Sequence, residues 1–386
     1  MLIKNGKVFF KNQLIENDLV IENGLIKKIS NASTNKGEEQ DEVVDAKGML
    51  VLPGLIDIHV HMREPGDTYK EDFKTGSHAA VAGGITTIID MPNNKLPTIT
   101  AQRLKEKEKL AKQKAICDVF FHMGATENNF DEIKKAEPLS LKMYLSETTG
   151  DLVLKDKNAI KKHLETFNRK IVVHAEGQKL IDKLVSLLYE RKKENIHLAH
   201  ATTTKEIETI KAVGGSIEVT PHHLFLSKKY EEKLGKLKPV KPPLRDEADR
   251  RLLWQSLDKI DCVATDHAPH TIEDKENGAY GYPGLETSLA LMLDAYNKKL
   301  LTINWIVERM VINPTKIFGL NDRGEIMVGK KADLVFVDPK QEWQVKGEEL
   351  ETKCKWSPFD AWRLRGKVKT VIKNGKTIYE GGEFVY

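Results

Sequence analysis

Residues 52–61 read LPGLIDIHVH, an apolar run that ends on two histidines two positions apart. Polar, periodic segments such as TAQRLKEKEKLAKQK at residues 100–114 separate it and seven further apolar runs. Those seven runs are GITTIIDMP, ICDVFFHMG, SLKMYLS, KIVVHAE, IHLAHA, SIEVTPHHLFL and DCVATDHAPH. Buried strands that alternate with helices are typical of βα units, and eight such units predict a (β/α)8 barrel in an α/β chain.

An open, doubly wound sheet is the alternative arrangement of the same units. Polar side chains follow the carboxyl ends of many of the apolar runs. Barrels assemble their active sites at that end of the strands. An open sheet would not account for polar groups at so many strand ends, so we favour the barrel.

The two ends of the chain alternate apolar and polar positions in short runs, which is typical of antiparallel strands. Asn-Gly pairs at residues 5–6, 23–24 and 374–375 predict tight hairpin turns. We therefore expect two domains. Residues 1–51 and 325–386 would form a discontinuous β-sandwich, and residues 52–324 a metal-dependent catalytic barrel.

Charge, cysteine content and hydropathy exclude several classes of protein. The 386 residues carry a formal net charge of +4 with both signs interspersed, so no basic face for nucleic acid is expected. Three scattered cysteines argue against a disulfide framework and fit a reducing cytoplasm. No apolar run approaches the ~18 residues of a membrane span, and we expect no signal peptide. The expected location is the cytoplasm.

Six ionisable side chains fall at the ends of five predicted strands. They are His59, His61, Lys142, His174, His200 and Asp266. Strand periodicity places His59 and His61 on one face, where they would form half of a metal site. A single His-x-His pair also fits two hydrogen-bonded histidines. Six such groups at one rim of one barrel favour a metal centre.

A second metal ion needs an anionic bridge, and Lys142 offers one. A neutral lysine amine can add CO2 to become a carbamate, and burial beside metal ions lowers the lysine pKa in the direction that this reaction requires. Histidine-rich ligation without thiolates favours zinc, with manganese or cobalt as alternatives. We therefore expect two Zn2+ ions bridged by carboxylated Lys142.

Two long motifs resemble the two signatures of the dihydroorotases within the amidohydrolase superfamily: DIHVHMREPG near the start of the barrel and ATDHAPH near its end. The similarity runs from IKNGKV through MPNN, VVHAE, TPHHLFL and PPLR to the terminal KNGK. LKMYLSETTG resembles the class I branch with a carboxylated lysine. The resemblance implies reversible closure of N-carbamoyl-aspartate to dihydroorotate and water, a step of pyrimidine synthesis.

The resemblance also divides the ligands between two ions. It implies that one zinc is held by His59, His61, carboxylated Lys142 and Asp266. The other would be held by Lys142, His174 and His200. Asp266 would take the proton of the attacking water and deliver it to the departing ring nitrogen.

An anionic substrate requires cationic and polar partners. Arg63 lies two residues past His61, and its planar guanidinium suits a carboxylate bidentately. The resemblance adds further substrate contacts: His61, Asn93, His270 and the backbone of Tyr280 and Gly281. Many relatives have asparagine where this chain has Lys241, so Lys241 either attracts a carboxylate or the contact is lost.

The loop after the Lys142 strand is short and rich in hydroxyl groups, SETTG at residues 146–150. By analogy with related enzymes, Thr148 and Thr149 could close over the substrate as a lid. The alternative is an ordinary βα connection. We expect His222 and His223 to be hydrogen-bonded barrel histidines rather than ligands, and His267 to point away from Asp266.

Two other functions remain open. One is a different cyclic amidase, such as a hydantoinase or allantoinase, against which Arg63 argues. The other is an inactive relative that serves as a scaffold, although such proteins usually lack metal ligands and all six candidates are present here. The expected oligomeric state is a monomer or a homodimer, and aspartate carbamoyltransferase is a candidate partner.

Overall fold

The computed structural model describes residues 1–31, 42–148, 150–188 and 195–385. The N-terminal part forms the strands β1 (Leu2–Phe10), β2 (Gln13–Glu22), β3 (Leu25–Asn31), β4 (Val43–Asp45) and β5 (Leu50–Pro53). Among the residues described, no helix is both long and apolar enough to cross a membrane.

Eight parallel strands follow, one from each of the eight apolar runs. They are β6 (Leu55–Val60), β7 (Ile85–Asp90), β8 (Asp118–Gly124), β9 (Ser140–Tyr144), β10 (Lys170–His174), β11 (Ile196–Leu198), β12 (Ser216–Val219) and β13 (Cys262–Val263). Each strand pairs with the next along the chain. A parallel bridge between Val60 and His267 joins the first strand to the segment after the last. The predicted barrel is therefore confirmed, as a nearly closed one.

Helices connect the strands and cover the barrel. They are α1 (Phe73–Ala82), α2 (Ala101–Lys114), α3 (Phe130–Ala136), α4 (Lys157–Thr166), α5 (Gln178–Leu187), α6 (Thr204–Ala212), α7 (Pro221–Phe225), α8 (Glu231–Leu234), α9 (Glu247–Gln255), α10 (Ile272–Glu276), α11 (Leu285–Asn297), α12 (Ile303–Val307) and α13 (Asn313–Phe318). A π-helical turn, Glu308–Ile312, joins α12 to α13.

One apolar run contains two elements rather than one. SIEVTPHHLFL is a strand only as far as Val219, and α7 begins two residues later. The side chain of Thr220 accepts a hydrogen bond from the backbone of His223, and Pro221 occupies the first turn of the helix. A threonine cap followed by proline is a helix start signal, so the chain leaves the sheet at this point.

The chain ends on β14 (Leu334–Gln344), β15 (Arg363–Lys373), β16 (Lys376–Glu380) and β17 (Glu383–Phe384). These strands join the N-terminal strands in one nine-stranded mixed sheet, in which β14 pairs antiparallel with β5. The expected association of both chain ends is confirmed. The limits of the two domains stay a prediction.

Two of the three Asn-Gly pairs lie at hairpin turns, and the third does not. Residues 23–24 connect β2 to β3, and residues 374–375 connect β15 to β16, all with positive φ. The prediction of a turn at Asn5-Gly6 is wrong, because both residues lie inside β1, at a shift in its register with β2. A Cβ on Gly6 would meet Val51 at 2.7 Å, so glycine is needed here for close approach to β5.

The connection between β14 and β15 reaches the rim of the barrel. The indole of Trp356 donates to the backbone oxygen of His270 at 2.7 Å. Thr352 donates to the buried carboxylate of Glu71 at 2.6 Å. The C-terminal part of the chain thereby supports the rim at the segments that follow β6 and β13.

Candidate metal centre and substrate pocket

One cavity at the carboxyl ends of the barrel strands contains all six side chains that the sequence singles out as metal ligands. Its lining consists of His59, His61, Arg63, Asn93, Lys142, Tyr144, Thr148, His174, His200, Lys241, Asp266, Ala268, Tyr280 and Gly281. Among the predicted substrate contacts, His270 does not line the cavity but lies behind Arg63, with its Nε2 3.0 Å from Nη2 of the guanidinium. Thr149 lies outside the described residues.

Side-chain alternation on β9 turns Lys142 towards the inside of the barrel. Leu141 and Met143 pack in the apolar cluster that also contains Ile160 and Leu164 of α4. Lys142, between them, must face the opposite side. Its side chain is fully buried, and its Nζ has no hydrogen-bond partner among the described residues.

Three ligand-type atoms meet between the first and last strands of the barrel. Nε2 of His59 and Nε2 of His61 lie 3.2 Å and 3.0 Å from the same oxygen, Oδ1 of Asp266. Asp266 has a positive φ of 47°. This backbone conformation is uncommon for residues other than glycine, and such strain is characteristic of functional sites.

A second group of donors lies on the neighbouring strands. Nδ1 of His174 and Nε2 of His200 are 2.8 Å apart. Nε2 of His174 has no hydrogen-bond partner among the described residues, and Oε1 of Glu176 is 3.9 Å from it. The rings of His59 and His200 are 5.4 Å apart between centroids, so the two groups adjoin.

Burial sets the charge of these groups. It lowers the pKa of His59, and Lys142 lowers it further. Burial also lowers the pKa of His174 and His200 well below the usual range, so these imidazoles are neutral, which is the form that binds metal. The pKa of Lys142 falls to about 8 through burial, against the opposing effect of Glu218 and Asp266.

The donor set fits a metal ion. Neutral imidazoles, a carboxylate and a buried, unpartnered amine surround one cavity, and buried polar atoms without partners are rare in folded proteins. Metal ions supply the partners that such atoms lack.

Glu218 is a component of the site that sequence reasoning missed. It lies in β12, is fully buried, and contacts Nδ1 of His59 through Oε1. Its Oε2 is 3.2 Å from Nε2 of His197, and its Oε1 also accepts the backbone N–H of His200 at 3.2 Å. Burial acts to raise the pKa of Glu218, but His59 and His197 hold it well below its usual range.

Glu218 orients His59. A carboxylate on Nδ1 leaves Nε2 of the imidazole to face the cavity, and such outer carboxylates are a regular part of histidine metal sites. A charged residue inside an apolar run was the signal that could have found it, as it did for Lys142.

The histidines expected to be structural lie outside the lining of the cavity. His223 contacts Thr220 at 2.7 Å and the backbone oxygen of Pro242 at 3.1 Å. The ring of His222 lies 5.3 Å from that of Tyr282. His267 accepts from the backbone of Gly284 and faces Glu71, away from the cavity.

Arg63 places a positive charge in the cavity that also contains His59, His61 and Asp266. Its side chain is only 6% exposed. Nε donates to the backbone oxygen of Pro269 at 3.1 Å, which fixes the guanidinium in place. Asn93 lies on the same side, with its Oδ1 2.9 Å from Nδ1 of His61.

Lys241 lies at the mouth of the cavity. Its Nζ is 4.6 Å from the centroid of the Tyr280 ring and 3.8 Å from Oε2 of Glu147. Together with Arg63 it gives the cavity a second positive charge, which favours an anionic ligand.

Comparison with known proteins agrees with this geometry. Residues 50–378 match the Amidohydrolase family. A solved L-hydantoinase (dihydropyrimidinase) from Arthrobacter aurescens superposes with a TM-score of 0.93 at 27% identity, covering 100% of this chain and 97% of that one. The chain belongs to the amidohydrolase family, and a metal cofactor follows from the family together with the His59–His61–Asp266 group.

Sequence comparison shows which group within the amidohydrolase family the chain belongs to. A dihydroorotase from Pyrococcus abyssi is 40% identical over 402 residues, which cover 100% of this chain and 96% of that protein. The multifunctional protein CAD of Squalus acanthias is 40% identical over 349 residues, which cover 87% of this chain and 15% of that protein. Within its family, the chain is a member of the dihydroorotases.

Replacing Glu218 tests how the metal ligands are held. We expect Glu218→Gln to weaken the affinity for a divalent metal ion about 10- to 100-fold, because the amide no longer offers both histidines a carboxylate acceptor. Competition with a coloured chelator measures this affinity. Glu208→Gln, at an exposed position paired with Lys259, is the matched control and should leave it unchanged. Equal affinities for both variants would remove Glu218 from the metal centre.

Proposed function

We propose that this chain is a dihydroorotase that interconverts N-carbamoyl-L-aspartate with (S)-dihydroorotate and water, in the synthesis of UMP. The observation that carries the proposal is a buried guanidinium, Arg63, in the same cavity as the His59–His61–Asp266 group. A cyclic amide that bears a carboxylate needs both features. The relatives named as dihydroorotases support this assignment.

Two zinc ions are proposed for the site. One would be held by His59, His61, carboxylated Lys142 and Asp266, and the other by Lys142, His174 and His200. The buried, unpartnered Nζ of Lys142 supports a modification that converts the amine into a carboxylate. The three cysteines are buried elsewhere, so the cavity offers nitrogen and oxygen donors only. Such donors suit zinc, and also manganese or cobalt.

The protein's own groups define the chemical step. When bound, the metal ions would make water nucleophilic at neutral pH and polarise the ring carbonyl of the substrate. Asp266 approaches both His59 and His61, which supports a place for its carboxylate beside the attacking water. It would accept the proton of that water and deliver it to the departing ring nitrogen. In ring closure the same proton moves in the opposite direction.

The substrate carboxylate would bind Arg63. The planar guanidinium can bind it bidentately, and the site is buried enough to exclude competing water. Asn93, His61 and His270 would complete the polar contacts, and the backbone of Tyr280 and Gly281 would bind the ring amides. Lys241 would add a second positive charge at the mouth of the cavity.

Thr148 lines the cavity, as a lid residue should. We propose that Thr148, together with Thr149, hydrogen-bonds the bound ligand and excludes water from the reaction.

We further propose that the enzyme works in the cytoplasm as a monomer or a homodimer. The CAD protein of Squalus acanthias matches this chain over only 15% of its own length, so in that relative the matching region is part of a longer protein. We propose aspartate carbamoyltransferase as a candidate partner.

A hydantoinase or allantoinase activity is the second candidate function. The observation that favours it is the TM-score of 0.93 with an L-hydantoinase. Sequence identity to that structure is 27%, against 40% to the dihydroorotase of Pyrococcus abyssi. Assays on dihydroorotate and on a 5-substituted hydantoin distinguish the two activities, and turnover of neither would point to an inactive scaffold.

Removing Lys142 tests the proposed bridge. We expect Lys142→Ala to lower the metal content from about two equivalents per chain to one or fewer. Turnover should fall at least about 100-fold, because several kcal/mol of transition-state stabilisation depend on the metal centre. Short carboxylic acids such as acetate should restore part of the activity.

Lys170→Ala is the matched control for this experiment, because Lys170 lies at the opposite end of the neighbouring strand β10. It should retain both metal content and turnover. An unmodified Lys142 amine in wild-type protein that is fully active and carries its full metal content would contradict the proposed carbamate.

Removing the guanidinium tests substrate recognition. We expect Arg63→Gln to lower kcat/KM for dihydroorotate by roughly 100-fold or more, or about 3 kcal/mol, because it leaves a desolvated carboxylate without its partner. Metal content should stay at the wild-type level. Arg251→Gln, at an exposed position, serves as the control. Unchanged kinetics for Arg63→Gln would mean that another cation, with Lys241 the first to test, binds the carboxylate.

A further inference from the structure

Three rim segments carry proposed substrate contacts, and one buried lysine joins two of them. They are residues 238–241, which end at Lys241, residues 268–270, and residues 279–282, which include Tyr280 and Gly281. The lysine is Lys275, on α10, and its side chain is only 1% exposed. Neither the proposed metal centre nor the proposed substrate contacts assign it a role.

The ammonium group of Lys275 binds backbone oxygens of two of these segments. It donates to Ala279 at 2.8 Å and to Gly281 at 3.1 Å, and it also donates to Pro239. Among the described residues, no carboxylate forms an ion pair with this ammonium group. The nearby charge that acts on it is the positive charge of Arg63. An ammonium has three N–H donors, so this one places each donor on a carbonyl.

Two aromatic rings border the same ammonium group. Its Nζ lies 5.2 Å from the centroid of Tyr282 and 5.6 Å from that of Trp356. Rings at this distance attract a cation, the more strongly where water is excluded. Burial and the nearby charge of Arg63 lower the pKa of Lys275 to about 7, so the groups that favour its charged form here are carbonyl dipoles and ring faces rather than an acid.

Direct bonds between the segments complete the arrangement. Gly281 donates its N–H to Pro239 at 3.1 Å, and Ala268 donates to Tyr282 at 2.9 Å. The backbone oxygen of Tyr280 lies 2.9 Å from Nε2 of His270. Gly281 has a φ of 138°, and a Cβ there would meet the backbone oxygen of Ala268 at 2.5 Å. The three segments are thus in close contact, and Lys275 joins two of them, residues 238–241 and 279–282.

We propose that Lys275 is a positioning residue that holds the Tyr280–Gly281 backbone and the segment before Lys241 in the arrangement that binds substrate. This inference rests on the proposed function, which places the ring amides against Tyr280 and Gly281. Lys275 is not a proposed metal ligand and does not itself line the cavity, although its partner Gly281 does. Its loss therefore affects binding and leaves the metal centre intact.

The physical reason is preorganisation. Without the ammonium, the carbonyls of Pro239, Ala279 and Gly281 lose a shared donor, and the two segments separate to find water. Substrate binding must then order them again, and this ordering weakens affinity. A group that contributes equally to binding substrate and transition state raises KM when it is lost and leaves kcat nearly unchanged.

Kinetics of two variants test the proposal. Lys275→Met keeps the length of the side chain and removes all donors, and Lys275→Gln keeps two N–H donors. We expect KM for dihydroorotate to rise at least about tenfold in Lys275→Met and less in Lys275→Gln. In both variants kcat should stay within about threefold of wild type and the metal content should be unchanged. Lys236→Met is the matched control, because Lys236 lies nearby, is exposed, and pairs only with Glu276 among the described residues.

Hydrogen exchange followed by mass spectrometry gives a readout that needs no substrate. Amides in peptides covering residues 236–245 and 276–284 should exchange faster in the Lys275 variants, whereas peptides covering β9 and β10 should not change. If wild-type protein does not turn over dihydroorotate, the proposed function fails, and the exchange pattern still decides whether Lys275 orders these segments.

Three results would overturn the proposal. The first is a KM within twofold of wild type in folded Lys275→Met. The second is a loss of metal in step with activity, or faster exchange spread evenly over the chain. The third is failure of both variants to fold, which would assign Lys275 to folding alone.

Discussion

Closure of the barrel between its first and last strands is the constraint on which the site depends. The backbone N–H of His61 donates to the oxygen of His267 at 2.8 Å, and Val60 bridges to His267. These contacts bring Asp266 within 3.2 Å of both His59 and His61, although more than 200 residues separate them in the chain. The strands between them, β9 to β11, carry Lys142, His174 and His200 to the same rim. Barrel geometry thus converts six distant positions into one donor set.

Burial then determines what that donor set can do. Inside the cavity the histidines are neutral and available to a metal ion, and the ammonium of Lys142 has neither an acid nor a carbonyl as hydrogen-bond partner among the described groups. The contrast with Lys275 is informative. Lys275 is buried to a similar degree, yet the carbonyls of Pro239, Ala279 and Gly281 accept hydrogen bonds from its Nζ. A buried lysine with partners is suited to holding structure, and one without them is suited to chemical modification.

The barrel and the six candidate ligands could be predicted because both depend on local patterns: alternating βα units, and polar groups at strand ends. Features that depend on contacts between distant parts of the chain could not be predicted from the sequence. Asn5-Gly6 has the local pattern of a turn, but close approach to Val51 makes it an irregularity within β1. Glu218 could have been noticed as a charged residue inside an apolar run, but its role as the partner of His59 could not be predicted, because the fold of the barrel brings the two residues together. The support of the rim by Trp356 and Lys275 likewise comes from segments whose positions no periodicity predicts.

A metal centre in this cavity is proposed to close and open a carboxylate-bearing ring. The most direct measurement is ring closure of N-carbamoyl-L-aspartate by the purified chain, with and without a chelator, followed by addition of Zn2+. We expect dihydroorotate to form, its formation to stop on chelation, and its formation to return when the metal is restored. Full turnover by metal-free protein, or no ring closure by protein loaded with two equivalents of zinc, would contradict the proposal.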